Sequence, residues 1–223
     1  MSFRSMHGAT CREMNLESED VYNAFYSSVT VFTIQCILLS FIFNQIFYSS
    51  TFKIQMPSSP YTLGARFVCT ILMHWQVEGD VRQGLKMMKF TANHWKEFAN
   101  PFFAFLNGFM QFNGGFLCEI ACLLYLSSID NTIDVIIRFI ALGSIAKVDD
   151  FYASALPSEN KIKNEACKIR VRNRRRNIEK GERPLLFRFL RFVYKFNRMM
   201  YVSYIFYFLP FTTLFVPYMY TSR

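Results

Sequence analysis

The apolar positions of this chain fall into long runs that no charge interrupts. No Asp, Glu, Lys or Arg stands between Asp20 and Lys53, between Glu97 and Glu119, or between Arg198 and Arg223. Crossing a bilayer core of about 30 Å takes roughly 20 helical residues, and each run is long enough. A soluble domain of 223 residues would break such runs with surface charge. The pattern predicts an all-α integral membrane protein.

The first run predicts a span over residues 29–47, flanked by Tyr22, Phe25, Tyr26 and Tyr48 as interfacial aromatics. Gln35, Asn44 and Gln45 interrupt it and are expected to face other helices. Residues 49–61, rich in Ser and Pro, read as a loop. The apolar stretch 66–77 is too short to span. In residues 80–97, Val81, Leu85, Met88 and Ala92 share one side while Arg82, Lys86 and Lys89 lie on another. Residues 62–97 are therefore expected to form an amphipathic segment on the cytoplasmic surface.

Asn100-Pro101 caps and opens a second span over residues 101–126. A tight turn at residues 127–132 sends the chain back into a third helix over residues 133–156, closed by Pro157. Asp134, Arg138, Lys147, Asp149 and Asp150 lie on that helix, so it reads as a full span or as a segment that enters only partway. Residues 199–223 hold the last span, with Pro210 and Pro217 as kinks that neighbouring helices would tolerate. Four transmembrane helices result, with the amphipathic segment 62–97 inside a membrane domain of residues 21–156.

Charge adds orientation. Residues 161–198 hold fourteen Lys and Arg against three Glu, a surplus of +11 where the whole chain has +9. The basic character therefore belongs to one region, a loop and amphipathic helix over residues 157–198, which the excess of Lys and Arg predicts to be cytoplasmic. The turn at 127–132 carries no Lys or Arg and falls outside. Four spans then put both termini outside. The polar residues 1–20 mix Arg4 and Arg12 with Glu13, Glu17, Glu19 and Asp20, which matches neither a cleavable signal nor a mitochondrial transit peptide. A plasma membrane or endomembrane is the expected location.

Chemistry is sparse. The six cysteines show no CxxC or Cys/His ligand spacing, and His7, His74 and His94 are scattered. No GxSxG, HExxH or Walker loop occurs, so no catalytic residue, metal or cofactor is expected. The sharpest constellation is in the hairpin of spans two and three. Glu119 and Arg138 lie about equally far from the turn, roughly 13–15 Å at a helical rise of about 1.5 Å per residue. A lone charge at that depth costs at least about 2.5–3.5 kcal/mol, so they are expected to pair, with Asp134 sharing Arg138 from one turn away. That pair would fix helix register or line an ion pathway.

Asn107, Gln111, Gly115 and Glu119 recur every four residues, with Gly108 and Gly114 beside them. Small and polar stripes of this kind let membrane helices approach closely. Asp149 and Asp150 are candidates for a cation or for contact with the basic loop. Arg172, Arg174, Arg175 and Arg176 resemble a nucleic-acid tract, but in a multispan chain they read better as lipid contacts. Arg188, Arg191, Lys195 and Arg198 repeat at helical spacing among Leu and Phe. Anionic lipid, and other membrane subunits rather than nucleic acid, are the expected partners.

Two strings, residues 83–94 (QGLKMMKFTANH) and residues 139–152 (FIALGSIAKVDDFY), with Glu119-Ile120 between them, resemble a large group of uncharacterised multi-pass membrane proteins of ciliate protists. The resemblance covers residues 65–156 and implies a membrane fold without implying an activity. Arg138 and Lys147 depart from the polar or acidic residues expected there. The reading that follows is a non-enzymatic accessory or scaffolding subunit of a membrane assembly. The alternative is a channel or transporter component using Glu119, Arg138 and Asp149.

Overall fold

A computed structural model of the chain describes residues 18–48, 53–54, 56–95, 100–155 and 185–202, with Phe208, Phe211, Thr212, Tyr218 and Met219. Six helices with defined bounds follow one another along these residues: α1 (Ser18–Tyr48), α2 (Pro60–Asn93), α3 (Pro101–Leu126), α4 (Thr132–Ala146), α5 (Val148–Ala155) and α6 (Leu185–Met200). No strand occurs among the described residues.

Local chemistry sets the ends. Ser59 caps α2, its hydroxyl accepting from the Tyr61 N–H at 3.3 Å, and Pro60 stands in the first turn, where its missing N–H costs nothing. Asn131 caps α4 by accepting from the Ile133 N–H at 3.1 Å. Asn100 occupies the N-cap position of α3, but its side chain makes no capping bond, and Pro101 alone marks the start. The third predicted helix divides at Lys147 into α4, of 15 residues, and α5, of 8 residues. At about 1.5 Å per residue α4 covers only about 22 Å, so by itself it is shorter than a bilayer core.

Contacts between helices fix their directions. Phe25 meets Phe103 at 4.7 Å between ring centroids, Gln35 meets Cys118, and Gln45 accepts from Tyr125 at 3.2 Å. Ascending α1 therefore ascends α3, and the two are parallel. Arg66 bonds the Ile129 carbonyl and Gly84 lies against Gly108, so α2 packs along α3 in the opposite sense. The Thr62 and Thr132 hydroxyls are 2.9 Å apart, and Gln76 donates to the Gly143 carbonyl at 2.9 Å, which makes α4 parallel to α2. The last segment rises again along α2: Phe187 stacks on Trp95, Tyr201 packs edge-on against Phe112, and Phe211 meets Phe67. The result is an up-and-down bundle. One end carries Ser58 and the turn at 127–131, and the other carries Trp95, Pro101 and Leu185.

This arrangement corrects the expectation for residues 62–97. They form most of a single 34-residue helix that lies beside α3, not an interfacial segment across one end. Met73, Val77, Val81, Leu85 and Met88 from this helix are core residues. The physical reason is that the exposed charges, Arg82 and Lys86, occupy one side only. The opposite side presents Thr, Cys, Met, His, Gly and Val to α3, a mixture that average hydropathy scores as weak.

Close approach is built into the α2–α3 contact. A methyl group on Gly84 would lie 2.6 Å from the Gly108 carbonyl oxygen and 2.8 Å from the Phe112 nitrogen, both backbone atoms. On Gly115 it would meet Val77 and Val81 at 2.8 Å. Only residues without a side chain allow the helices to pack at this distance.

Among the described residues, two helices are long and apolar enough to cross a membrane: Phe25–Tyr48 within α1, and Pro101–Leu126. Only 17% of the first apolar window is buried in the protein, against 44% of the second. The outward faces are strongly apolar. Ile34, Ile37, Phe41 and Phe47 on α1 and Ile133, Ile136, Ile137 and Ile140 on α4 are all exposed.

Candidate functional site: the polar core of the bundle

A line of polar groups runs through the bundle where α1, α2, α3 and α4 meet. At the turn end, Arg66 is fully buried and directs its Nε to the Ile129 carbonyl at 3.0 Å, with Nη2 on the same oxygen. That carbonyl lies in the α3–α4 turn, where no helical N–H is available to it, so the guanidinium satisfies a buried acceptor. Thr70, one turn further along α2, returns its hydroxyl to the Arg66 carbonyl.

Next comes the one ion pair buried in the core among the described residues. His74 Nδ1 meets Glu119 Oε1, and the side chains are only 6% and 1% exposed. Glu119 Oε2 is buried and makes no hydrogen bond among the described residues. A lone carboxyl group in an apolar core is costly, and the imidazole gives one of its oxygens a polar partner.

Glu119 thus pairs with α2 and not, as its depth below the turn suggests, with Arg138. The Arg138 guanidinium carbon sits 4.5 Å from the centroid of the Tyr125 ring, a cation–π arrangement. Asp134 is exposed on α4 and joins neither residue in an ion pair. Depth alone points to Arg138 because it leaves α2 outside the bundle. A signal for the true partner is present in the sequence: His74 lies in the apolar stretch 66–77, where a polar ring needs a partner.

One turn from this pair, toward the basic end, a cavity of about 90 Å³ opens between α1, α2, α3 and the α4–α5 break. Asp80 and Asp149 line it from different helices, with Gln35, Asn107, Gln111 and Tyr152 supplying further polar groups. Gln111 Nε2 lies 3.5 Å from Asp80 Oδ1, and Gln35 also donates to the Ile145 carbonyl at 3.3 Å. Val77 and Gly115 form the wall toward His74 and Glu119. The four-residue stripe on α3 is therefore shared: Asn107, Gln111 and Gly115 face the cavity, and Glu119 faces His74. Asp150, adjacent to Asp149, is exposed and does not line the cavity.

The basic residues of α6 occupy one side of that helix. Phe187, Leu190 and Tyr194 face the bundle, while Leu185, Phe189, Phe192 and Phe196 face away. Arg188, Arg191, Lys195 and Arg198 fall between these two faces, and Arg198 also donates to the Tyr194 hydroxyl at 3.3 Å. Arg172, Arg174, Arg175 and Arg176 lie outside the described residues. Comparison with protein families, with curated proteins and with solved structures found no match. Function is therefore read from this geometry.

Proposed function

We propose that this chain is a multi-pass membrane protein of structural or regulatory type, an accessory or scaffolding subunit. It crosses the bilayer with α1, α2, α3, the bent pair α4–α5 and the segment that α6 begins. The observation that carries the reading is the parallel course of α1 and α3, the two helices among the described residues that are long and apolar enough to span. Two parallel spans joined by one helix require that helix to cross as well, so α2 is a membrane helix despite its charges.

Five crossings replace the four read from hydropathy, and they revise the sidedness. Arg82, Lys86, Lys89, Arg188, Arg191, Lys195 and Arg198 gather toward one end, whereas Lys53 and Arg66 stand toward the other. By the Lys and Arg bias the first end is cytoplasmic, the start of α1 belongs there, and the turn at 127–131 is outside. The outward Phe residues of α6 suit acyl chains, and its basic flank suits anionic headgroups at the cytoplasmic surface.

The exposed Ile and Phe side chains on the outward faces of α1, α4 and α6 support this reading, since large contiguous apolar patches mark membrane or protein contact. Extraction of membranes at alkaline pH tests the reading. The full chain is expected in the pellet, and its release with peripheral proteins would reject it.

A second reading, a channel or transporter component, is favoured by one observation: the cavity and the His74–Glu119 pair are a single helical turn apart in the interior. Ionisable residues inside a membrane commonly mark ion or substrate paths. Of the residues expected for that role, Glu119 and Asp149 belong to this region, and His74 and Asp80 take the place of Arg138.

A further inference from the structure

We propose that the cavity between α1, α2, α3 and α5 is a binding site for a small organic ammonium ion, a proposal that rests on the transport reading above. Asp80 and Asp149 reach the cavity from helices far apart in sequence, and no Lys, Arg or His among the described residues lines it. Among the described residues neither carboxylate has an ion-pair partner; the nearby Arg82 is engaged by Glu78. Two carboxylates at one partly enclosed void set a negative potential that favours a cation.

The size of the void selects the kind of cation. A single water needs about 10–15 Å³ of such space, so about 90 Å³ has room for an ion of up to roughly six to nine non-hydrogen atoms. The donor set also argues against a tightly held metal. No group of three or more His, Cys, Asp and Glu converges among the described residues, and hard divalent cations want six or more oxygens. The walls instead combine the carboxylates with Phe32 and Tyr152, aromatic rings of the type that receives alkylammonium groups, and with Val31 and Met110. Asn107 and Gln111 add side-chain amides to the same lining.

The test uses the full chain in detergent, with tetramethylammonium and ethanolamine as probes and tert-butanol and ethylene glycol as neutral controls of similar shape. Saturable thermal stabilisation by one or both ammonium ions, absent with the neutral controls and with equal NaCl or KCl, is expected. Asp149→Asn should weaken the apparent affinity about tenfold or more, since it removes one charge partner. Ser27→Leu, which keeps both carboxylates but fills the space, should also remove the response. Equal stabilisation by sodium or potassium would overturn the proposal in favour of an inorganic cation. No saturable response, or one indifferent to both substitutions, would overturn it outright. Flux of the same probes in proteoliposomes separates the two levels. Binding without flux removes the transport reading and keeps the site, while flux of another ion without ammonium binding does the reverse.

Discussion

Ser58 and Asp130, 72 residues apart, are joined at one end of the bundle: the Ser58 N–H donates to Asp130 Oδ1 at 2.7 Å, and its hydroxyl reaches both carboxylate oxygens. This contact ties the loop before α2 to the turn after α3. Thr62 extends it, donating to the Asp130 carbonyl at 3.3 Å. Two connections that hydropathy assigns to opposite faces of a membrane thus share one face. The course of the chain follows from that: α2 must run the full depth of the bundle, antiparallel to the two apolar helices that precede and follow it in the chain.

The glycines of α2 and α3 separate close packing from simple helix composition. Gly84→Leu or Gly108→Leu should cost at least about 3 kcal/mol and abolish cooperative melting in detergent, because backbone atoms block the new side chain. At Gly64 and Gly79 an added methyl group would have no neighbour within 4 Å, so alanine there should be neutral or stabilise by about 0.5–1 kcal/mol. Equal tolerance at all four positions would contradict the α2–α3 contact.

Glu119 and His74 should couple energetically where Glu119 and Arg138 should not. A double-mutant cycle built from Glu119→Gln and His74→Leu is expected to give an interaction of about 1–3 kcal/mol. The corresponding cycle with Arg138→Leu should give nothing measurable, and exchanging the charges of Glu119 and Arg138 should fail to rescue expression. Coupling to Arg138 alone would restore the hairpin pairing.

These outcomes bear on what is legible from residues alone. The two apolar spans are open to view because each is an unbroken run without charge. The course of α2 is hidden because a helix can run the length of a bundle on protein contacts. Its buried face needs only small and weakly polar groups such as Thr70, His74 and Gly84, while Arg82 and Lys86 remain on the outer side. With α2 read as interfacial, Glu119 has only α4 left to supply a partner. The cavity lies beyond sequence reasoning for a different reason, since Asp80 and Asp149 meet only through the break at Lys147, which no Pro or other local signal announces.

The basic flank of α6 predicts a lipid preference. Replacing Arg188, Arg191, Lys195 and Arg198 by Gln should reduce retention of anionic lipid on the detergent-purified protein by about 1 kcal/mol per residue placed near headgroups. Native mass spectrometry of the protein with mixed anionic and neutral lipids reads this directly. Unchanged retention would show that these residues serve orientation alone.

The central claim is that α1 and α3 cross in the same direction with α2 returning between them. Impermeant maleimide labelling tests it most directly. With Cys11 and Cys167 replaced by Ser, the protein carries in turn Ser58→Cys, Asn131→Cys or Lys89→Cys. In sealed vesicles of defined orientation, the first two should react from the same side and the third only from the opposite side. Reaction at positions 58 and 89 from one side, with 131 on the other, would contradict the account.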